Sequence, residues 1–392
     1  MKKPAWPVVD TPSGALQFPA EIGTIDLPVD RNPTIKTLII RFSSVGDIVL
    51  SSPLIRALRH RFPDMQMDFL VKDAYADLVR WNPHVTRVIA FPQGGAFQDL
   101  VRLRRRIRAE RYDVILDIHD SLRSRFLCAG ARSVRRVNKR KIARFALIHF
   151  KVNLYGLFRG APGVAERYLE TASGLGVAGD GGGPELFLPA AAVERAQELL
   201  AAEGLEGETA LLGICPSARH FTKMWPEERF AEAAALFAVR RHASVVLFGA
   251  DDEAERCRSI ARAIARRSPV TRTAVLAGHS SLLESAAVMD RCGVVVTNDT
   301  GLMHCATARG RPVVAVFGST VRQFGFFPMG AASRVVEHPS LACRPCTHIG
   351  REQCPLGHFR CMTEIVPEAV VDAASSVWEA ASPAAAVTRR SS

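Results

Sequence analysis

The chain has 392 residues, of which 48% are hydrophobic and 23% charged, and its formal net charge is +12. That length exceeds the roughly 250–300 residues at which a single core stops growing, so two globular domains are expected. No apolar run reaches the roughly 18–20 residues that cross a bilayer, and the opening MKKPAWPVVDTPSG has no continuous apolar stretch, so a membrane span and a secretory signal are not expected and the cytoplasm is the expected compartment.

Residues 1–33 are rich in Pro, Gly and Asp without periodicity and read as an extended leader, on the surface or disordered. From Lys36 strands and helices alternate. TLIIRF reads as a buried strand, Ser43 to Asp47 as a turn, and Ile48 to Arg61 as a helix that stops at Pro63. Strands are predicted near Met67 to Val71, Arg87 to Phe91 and Val114 to Ile118, with helices near Ala74 to Trp81 and Phe97 to Glu110. This is a Rossmann-like half, expected over residues 34–184.

Within it, Arg102 to Lys151 holds sixteen Lys or Arg against four acids, an excess equal to the net charge of the whole chain. A solvated helix face would mix signs, so the segment points to an anionic partner. An anionic membrane surface fits, because a basic segment can hold a protein on the cytoplasmic leaflet. Nucleic acid competes, but no recognisable nucleic-acid motif accompanies the charge, and it is not the expected partner. Arg123 and Arg125, which follow the strand Val114 to Ile118, are expected to face a bound acceptor. Arg135, Arg136, Lys139, Arg140 and Lys141 are expected on a more mobile connection.

GLGVAGDGGGP, Gly174 to Pro184, is the strongest punctuation and separates the halves. A second alternating series follows over residues 185–366: helix Ala191 to Ala202, strand Ala210 to Cys215, helix Pro226 to Val239, strand Ala243 to Phe248, helix Asp251 to Ala265, strand Ala274 to Leu276 and helix Leu282 to Asp290. A last segment, 367–392, comprises a helix near Pro367 to Trp378 and a disordered tail.

The second half turns on TNDTGLMHCATARG, Thr297 to Gly310, between the apolar runs Cys292 to Val296 and Pro312 to Phe317. In such a βαβ unit the backbone N–H groups that open the helix favour an anion at the carboxyl end of the strand. Thr300 adds a hydroxyl, Gly301 lets a phosphate approach the backbone, and His304 lies one turn on. Capping of the helix by Asp299 is the plainer reading of the same residues.

Asp299-Thr300-Gly301-Leu302-Met303-His304, followed by Ala306 and Pro312 to Gly318, resembles the nucleotide-sugar motif of glycosyltransferase family 9, the lipopolysaccharide heptosyltransferases. KTLIIRFSSVGDIVLSSP, Lys36 to Pro53, is similar to the amino-terminal signature of that family. The resemblance covers roughly Lys36 to Trp378 and implies an α/β fold of the GT-B type, two Rossmann-like domains facing across a cleft, with the helix near Pro367 to Trp378 packing back on the first. It implies Asp47 as the catalytic base, with Ser43, Ser44 and Gly46 around it, Ser43 toward the acceptor and Ser44 and Gly46 toward the donor. Lys223, ahead of Trp225-Pro226, would pair with the diphosphate, Glu253 would hold a ribose, and Leu276 to Ser281 would line the base pocket.

From the residues alone Asp47 could merely cap a helix and Lys223 could be an ordinary surface lysine. No Asp-x-Asp motif is evident near these positions, so transfer without a catalytic cofactor is expected. The segment CRPCTHIGREQCPLGHFRC spaces Cys343, Cys346, Cys354 and Cys361 so that they could bind a structural zinc. Reduced thiols are the other reading, because the nine cysteines of a cytoplasmic chain are not expected to form a disulfide framework. Similar cysteine segments occur in the heptosyltransferase II branch.

The resemblance thus implies an inverting transferase that moves heptose from ADP-L-glycero-D-manno-heptose to the inner core of a lipopolysaccharide precursor. The alternatives are another nucleotide sugar and glycan, or a non-catalytic binder of anionic lipid or nucleic acid on the same fold.

Overall fold

Strands form where the sequence has short apolar, largely β-branched runs bounded by turn residues, and helices where apolar residues recur at three and four positions. In the computed structural model, residues 8–10, 35–158, 160–330 and 332–381 are described. The strands in chain order are β1 (Val8–Asp10), β2 (Lys36–Ile40), β3 (Gln66–Lys72), β4 (Arg87–Phe91), β5 (Val114–Asp117) and β6 (Val134–Arg136). They continue with β7 (Leu211–Cys215), β8 (Ser244–Leu247), β9 (Thr273–Val275), β10 (Val294–Asn298), β11 (Val313–Phe317) and β12 (Ser333–Glu337).

The chain divides into two units. The first, residues 13–141 and 162–187, holds a parallel sheet in the order β4-β3-β2-β5-β6. Its central strand β2 buries Thr37 to Ile40 completely, as expected of a parallel strand covered by helices on both faces. The second unit, residues 1–12, 142–161 and 188–392, holds a sheet in the order β1-β12-β11-β10-β7-β8-β9, in which β1 alone among the described strands runs antiparallel. Strands β7, β10 and β11 are buried along their whole length.

Four expectations are corrected. Val8 to Asp10 of the leader pairs with Arg334 to Val336 as an edge strand, while the remainder of residues 1–33 and the expected tail at 382–392 lie outside the described residues. The helix expected over Ile48 to Arg61 is two helices, Val45–Val49 and Ser52–Arg61. The Ser51 and Ser52 hydroxyls donate to the carbonyls of Ile48 and Val49 at 2.6 and 2.7 Å, ending the first helix, and Pro53 stands in the opening turn of the second, where its missing N–H is harmless.

Residues 142–161 belong with the second unit and not with the first, because Ala143, Leu147 and Tyr155 bury against Phe324. The helix Pro367–Ala381 also packs on the second unit, not on the first. It lies on helix Glu227–Arg241 and on β10 to β12, and a Cβ on Gly293 would stand 2.2 Å from the Trp378 ring, so only glycine admits that ring.

The glycine-rich stretch at 174–184 is more than punctuation. Asp180 takes both a 2.6 Å contact from Arg56 Nε and a 2.8 Å one from Nη2, and Glu185 Oε2 lies 3.0 Å from Nη1. Arg56, on helix Ser52–Arg61, is 9% exposed at its side chain, and a Cβ on Gly182 would stand 2.4 Å from its guanidinium. A forked guanidinium with two carboxylates fixes the end of the first unit to its core.

Removing one partner of a buried ion pair costs about 3–5 kcal/mol, but these carboxylates would regain solvent, so Arg56→Leu should lower stability by roughly 2–3 kcal/mol. A urea titration that leaves the midpoint in place would refute this clamp. Hydrogen bonding to Arg56 holds the Asp180 carboxyl at about 2, below its unfolded value of about 4, so its contribution is complete above pH 4 and disappears as pH falls through 2.

Candidate active site

Strand order positions the candidate residues. In the first unit the order of connection reverses between β2 and β5, and open α/β sheets take ligands at the carboxyl ends of the strands beside such a reversal. The loop leaving β2 carries Arg41 to Ser44, and the one leaving β5 carries Ile118 to Ser121.

Asp47 sits in the first turn of helix Val45–Val49, with Ser44 as N-cap and Gly46 buried beside it. Ser44 donates to Asp47 Oδ2 through its hydroxyl at 3.0 Å and its N–H at 3.4 Å. Arg41 Nη2 lies 2.6 Å from the same oxygen, and the Tyr168 hydroxyl donates to Oδ1 at 3.0 Å. Capping and charge pairing are thus features of one carboxylate. Burial pushes its pKa up, but Arg41 and the hydrogen bonds from Ser44 and Tyr168 outweigh burial and hold it below the usual value. Arg41 is itself fixed, donating through Nη1 to the Ile118 carbonyl at 2.8 Å. Its guanidinium carbon lies 5.7 Å from the centroid of the Tyr168 ring.

His119 stands on the adjoining loop, its ring edge-on to Phe42 at 5.3 Å. Burial first, then the charges of Arg41 and Lys139, push its pKa down to about 3, so the imidazole is neutral at physiological pH. Its Nδ1 is buried without a hydrogen-bond partner.

Ser43 is half-buried in the β2 loop. Arg123 and Arg125 lie on helix Leu122–Cys128, both exposed, but Arg125 Nε is tied to Asp120 at 2.7 Å.

The basic run after them is not a mobile connection. Arg136 lies 3.7 Å from Asp117, Arg140 3.1 Å from Glu170 and Lys141 3.8 Å from Asp120, while Lys139 donates to the Asp120 carbonyl at 3.1 Å. Arg135 and Arg136 lie in β6, and a Cβ on Gly174 would stand 2.5 Å from the Arg135 guanidinium. Part of the charge therefore serves the fold, held by Asp117 and Asp120 of the same segment and by Glu170 beyond it.

The second unit repeats the topology, with its reversal between β7 and β10. Lys223 follows β7, Glu253 follows β8, Leu276 to Ser281 follow β9, and Asp299 to His304 follow β10, so these expected donor residues share one sheet edge, while Ser44 and Gly46 lie in the first unit. Thr300 is the N-cap of helix Gly301–Ala308, which corrects the capping reading of Asp299. Asp299 is instead buried, 2.7 Å from Lys223 Nζ, and accepts from the Thr320 hydroxyl at 2.8 Å. Asn298 ties the backbone on either side of Lys223, donating to the Pro216 carbonyl at 2.7 Å and accepting from the backbone N–H of Trp225 at 3.0 Å.

Glu253 accepts from the N–H of Ala250 at 2.8 Å, and burial raises its pKa. Gly301 and Leu302 open the helix, and His304 is buried in the next turn, its ring centroid 6.4 Å from that of Phe326.

The four cysteines of the 343–361 segment form no disulfide. Among the described residues no group of three or more His, Cys, Asp or Glu is placed to hold a metal ion, and Cys343 Sγ lies 3.9 Å from His358 Nε2. Burial pushes the Cys361 thiol up to about 12.

Sequence reasoning missed Arg41, Tyr168, His119, Asn298 and Thr320. Arg41 and Asn298 stood inside quoted motifs, where a charged or amide residue at a strand end was the available signal. Tyr168 is 121 residues from Asp47, and nothing local marks it.

Two such α/β units, each with polar groups gathered at the carboxyl edge of its sheet, are the architecture of the GT-B glycosyltransferases, and the superposition given below places the chain in that fold class. Residues 100–358 match "Glycosyltransferase family 9 (heptosyltransferase)", and the chain belongs to that family. It is 32% identical over 300 residues to lipooligosaccharide heptosyltransferase 2 of Haemophilus influenzae, covering 73% of this chain and 84% of that protein. It is 31% identical over 311 residues to lipopolysaccharide heptosyltransferase 2 of Salmonella typhimurium, covering 77% and 87%. The solved ADP-heptose lipopolysaccharide heptosyltransferase II of Escherichia coli superposes with a TM-score of 0.67 at 25% identity, over 88% of this chain and 99% of that one.

Tyr168→Phe removes one donor from Asp47 and should move its titration upward. Carbon-13 NMR of labelled aspartate would follow it, and an unmoved titration would remove Tyr168 from the network.

Proposed function

We propose that the chain is an inverting transferase that moves heptose from ADP-L-glycero-D-manno-heptose to the inner core of a lipopolysaccharide precursor, of the heptosyl-Kdo-lipid A type. Family membership and the printed activities of the relatives support the heptosyl donor and the lipopolysaccharide acceptor. The observation that carries the mechanism is an ionised carboxylate, Asp47, held by three side chains at the strand reversal of the first unit.

In this reading Asp47 accepts the proton of the attacking acceptor hydroxyl. The oxygen bonds to the anomeric carbon as the bond to the diphosphate breaks on the opposite side, inverting the centre. Negative charge then collects on ADP. Lys223 and the N–H groups that open helix Gly301–Ala308 would meet it, with Thr300 and the buried His304 nearby. Asp299 pre-orients the ammonium of Lys223 at 2.7 Å, and Glu253 would take the ribose. No metal is assigned a part in this scheme.

Arg123 is left exposed to meet the phosphates or carboxylates of the acceptor, with Ser43 closer to Asp47, while Arg125 is engaged by Asp120. Because that acceptor is a lipid, the enzyme would work as a peripheral protein on the anionic cytoplasmic leaflet. No helix among the described residues is long and apolar enough to cross a membrane.

Asp47→Asn should keep ADP affinity and lower turnover by about 100-fold or more, the usual range for a lost general base. Near-normal turnover of the variant on a heptose acceptor would exclude the role. Since Asp47 is ionised above its depressed pKa, activity should not fall with this group until pH drops below about 4. A limb at higher pH that disappears in Asp47→Asn would contradict that order.

Lys223→Ala should weaken ADP binding by about 1.5–3 kcal/mol, the value of a charge-assisted hydrogen bond. Calorimetry finding equal affinities would show the diphosphate to lie elsewhere, and UDP or GDP binding in preference to ADP would change the donor.

A further inference from the structure

The ion pairs of the basic run leave one feature of that region unused. Helix Lys141–His149 and the turn after it expose large apolar side chains: Ile142 is 76% exposed, Phe145 56%, Phe150 68% and Leu157 78%. Positions 142, 145 and 149 follow helical spacing and share one face, while Ala143, Ala146 and Leu147 are buried on another. The outward side chains support one another, with the Phe145 ring 4.4 Å from His149 and 5.9 Å from Phe150 between centroids. The base beneath them is firm. Ala143, Leu147 and Tyr155 pack on Phe324, and Lys151 Nζ donates to the carbonyls of Ile148, Cys343 and Pro345 at 3.0, 3.1 and 2.7 Å.

A contiguous exposed apolar patch on a firm support is a docking surface, and the charge around it selects the partner. Within its own unit the segment 142–161 carries Arg144, Lys151 and Arg159 and no Asp or Glu. An acidic headgroup layer meets such a surface without a single like-charge contact from this segment, and acyl chains beneath it accept the aromatic and branched side chains.

We propose that Ile142, Phe145 and Phe150 form a wedge that enters the headgroup and acyl boundary of an anionic phospholipid leaflet. This rests on the reading above that the acceptor is a membrane lipid, and adds that attachment is by apolar insertion as well as by charge. A helix this short lies in the plane of the interface, its polar rim at the phosphates, and its hold comes from two modest terms acting together.

The test uses the full-length protein and phosphatidylcholine vesicles with and without phosphatidylglycerol. Wild-type protein should sediment with the phosphatidylglycerol vesicles. The triple variant Ile142→Ser, Phe145→Ser, Phe150→Ser should bind at least about tenfold more weakly, with ADP affinity unchanged as a check on folding.

Phe145→Trp should add an emission that brominated acyl chains quench, because a wedge brings the new indole below the headgroups. Equal binding of the triple variant, or an added emission in Phe145→Trp that brominated chains leave untouched, overturns the wedge while the membrane reading stands. Wild-type protein that ignores phosphatidylglycerol vesicles at low salt overturns both. A dimer in light scattering that the triple variant disperses, with vesicle binding unchanged, would overturn the wedge by assigning the patch to a second copy of the chain.

Discussion

Parallel strand pairing is the constraint from which the rest follows. Strands that run the same way deliver every following loop to one edge, and the reversal of connection order opens a gap between two of those loops. In the first unit the gap lies between β2 and β5, and in the second between β7 and β10. Residues as far apart in sequence as Lys223 and Asp299 become neighbours because β7 and β10 pair directly, Cys215 against Thr297. The same pairing buries the strands on both faces, so the framework that carries the polar groups is rigid.

Each edge holds a carboxylate largely removed from water. An ion largely removed from water persists only where opposite charge and hydrogen bonds replace its hydration. Asp47 has Arg41, Ser44 and Tyr168. Asp299 has Lys223 and Thr320. The two pairs differ in what they leave for a ligand. In the proposed reaction the anion of the first would be the reactive group, fixed by its cation. The cation of the second would face the diphosphate, with the anion holding it in place. Asp180 and Glu185 do the same for Arg56 where no chemistry is expected, so paired burial by itself is not a sign of function.

The basic region separates into two physical roles. Arg136, Arg140 and Lys141 each meet an acid carried by another part of the first unit, so these cations are held by the fold. The other role is apolar: Ile142 and Phe145 look outward from a helix whose other face is packed. A surface that combines these with the cations Arg144 and Lys151 of the same segment would match an amphiphile better than a polyanion that offers phosphate alone.

The sequence by itself determined the fold class, most strand positions and the two motif loops, because strand burial and turn chemistry are local properties with short periods. Arg87 to Phe91 and Phe97 to Glu110 are found with the expected bounds. Helix ends were less legible where side chains compete for backbone groups, as Ser51 and Ser52 do after Val49. Tertiary structure alone decided which charges are paired. Nothing near Asp47 names Tyr168, and nothing near Arg56 names Asp180, since such partners are chosen by the folding of distant segments onto one sheet. It also decided the allegiance of residues 142–161 and of helix Pro367–Ala381, whose apolar faces fit more than one surface until Phe324 and the Gly293 backbone supply the matching shape. Local sequence fixes what a segment can form, and only three-dimensional complementarity fixes what it packs against.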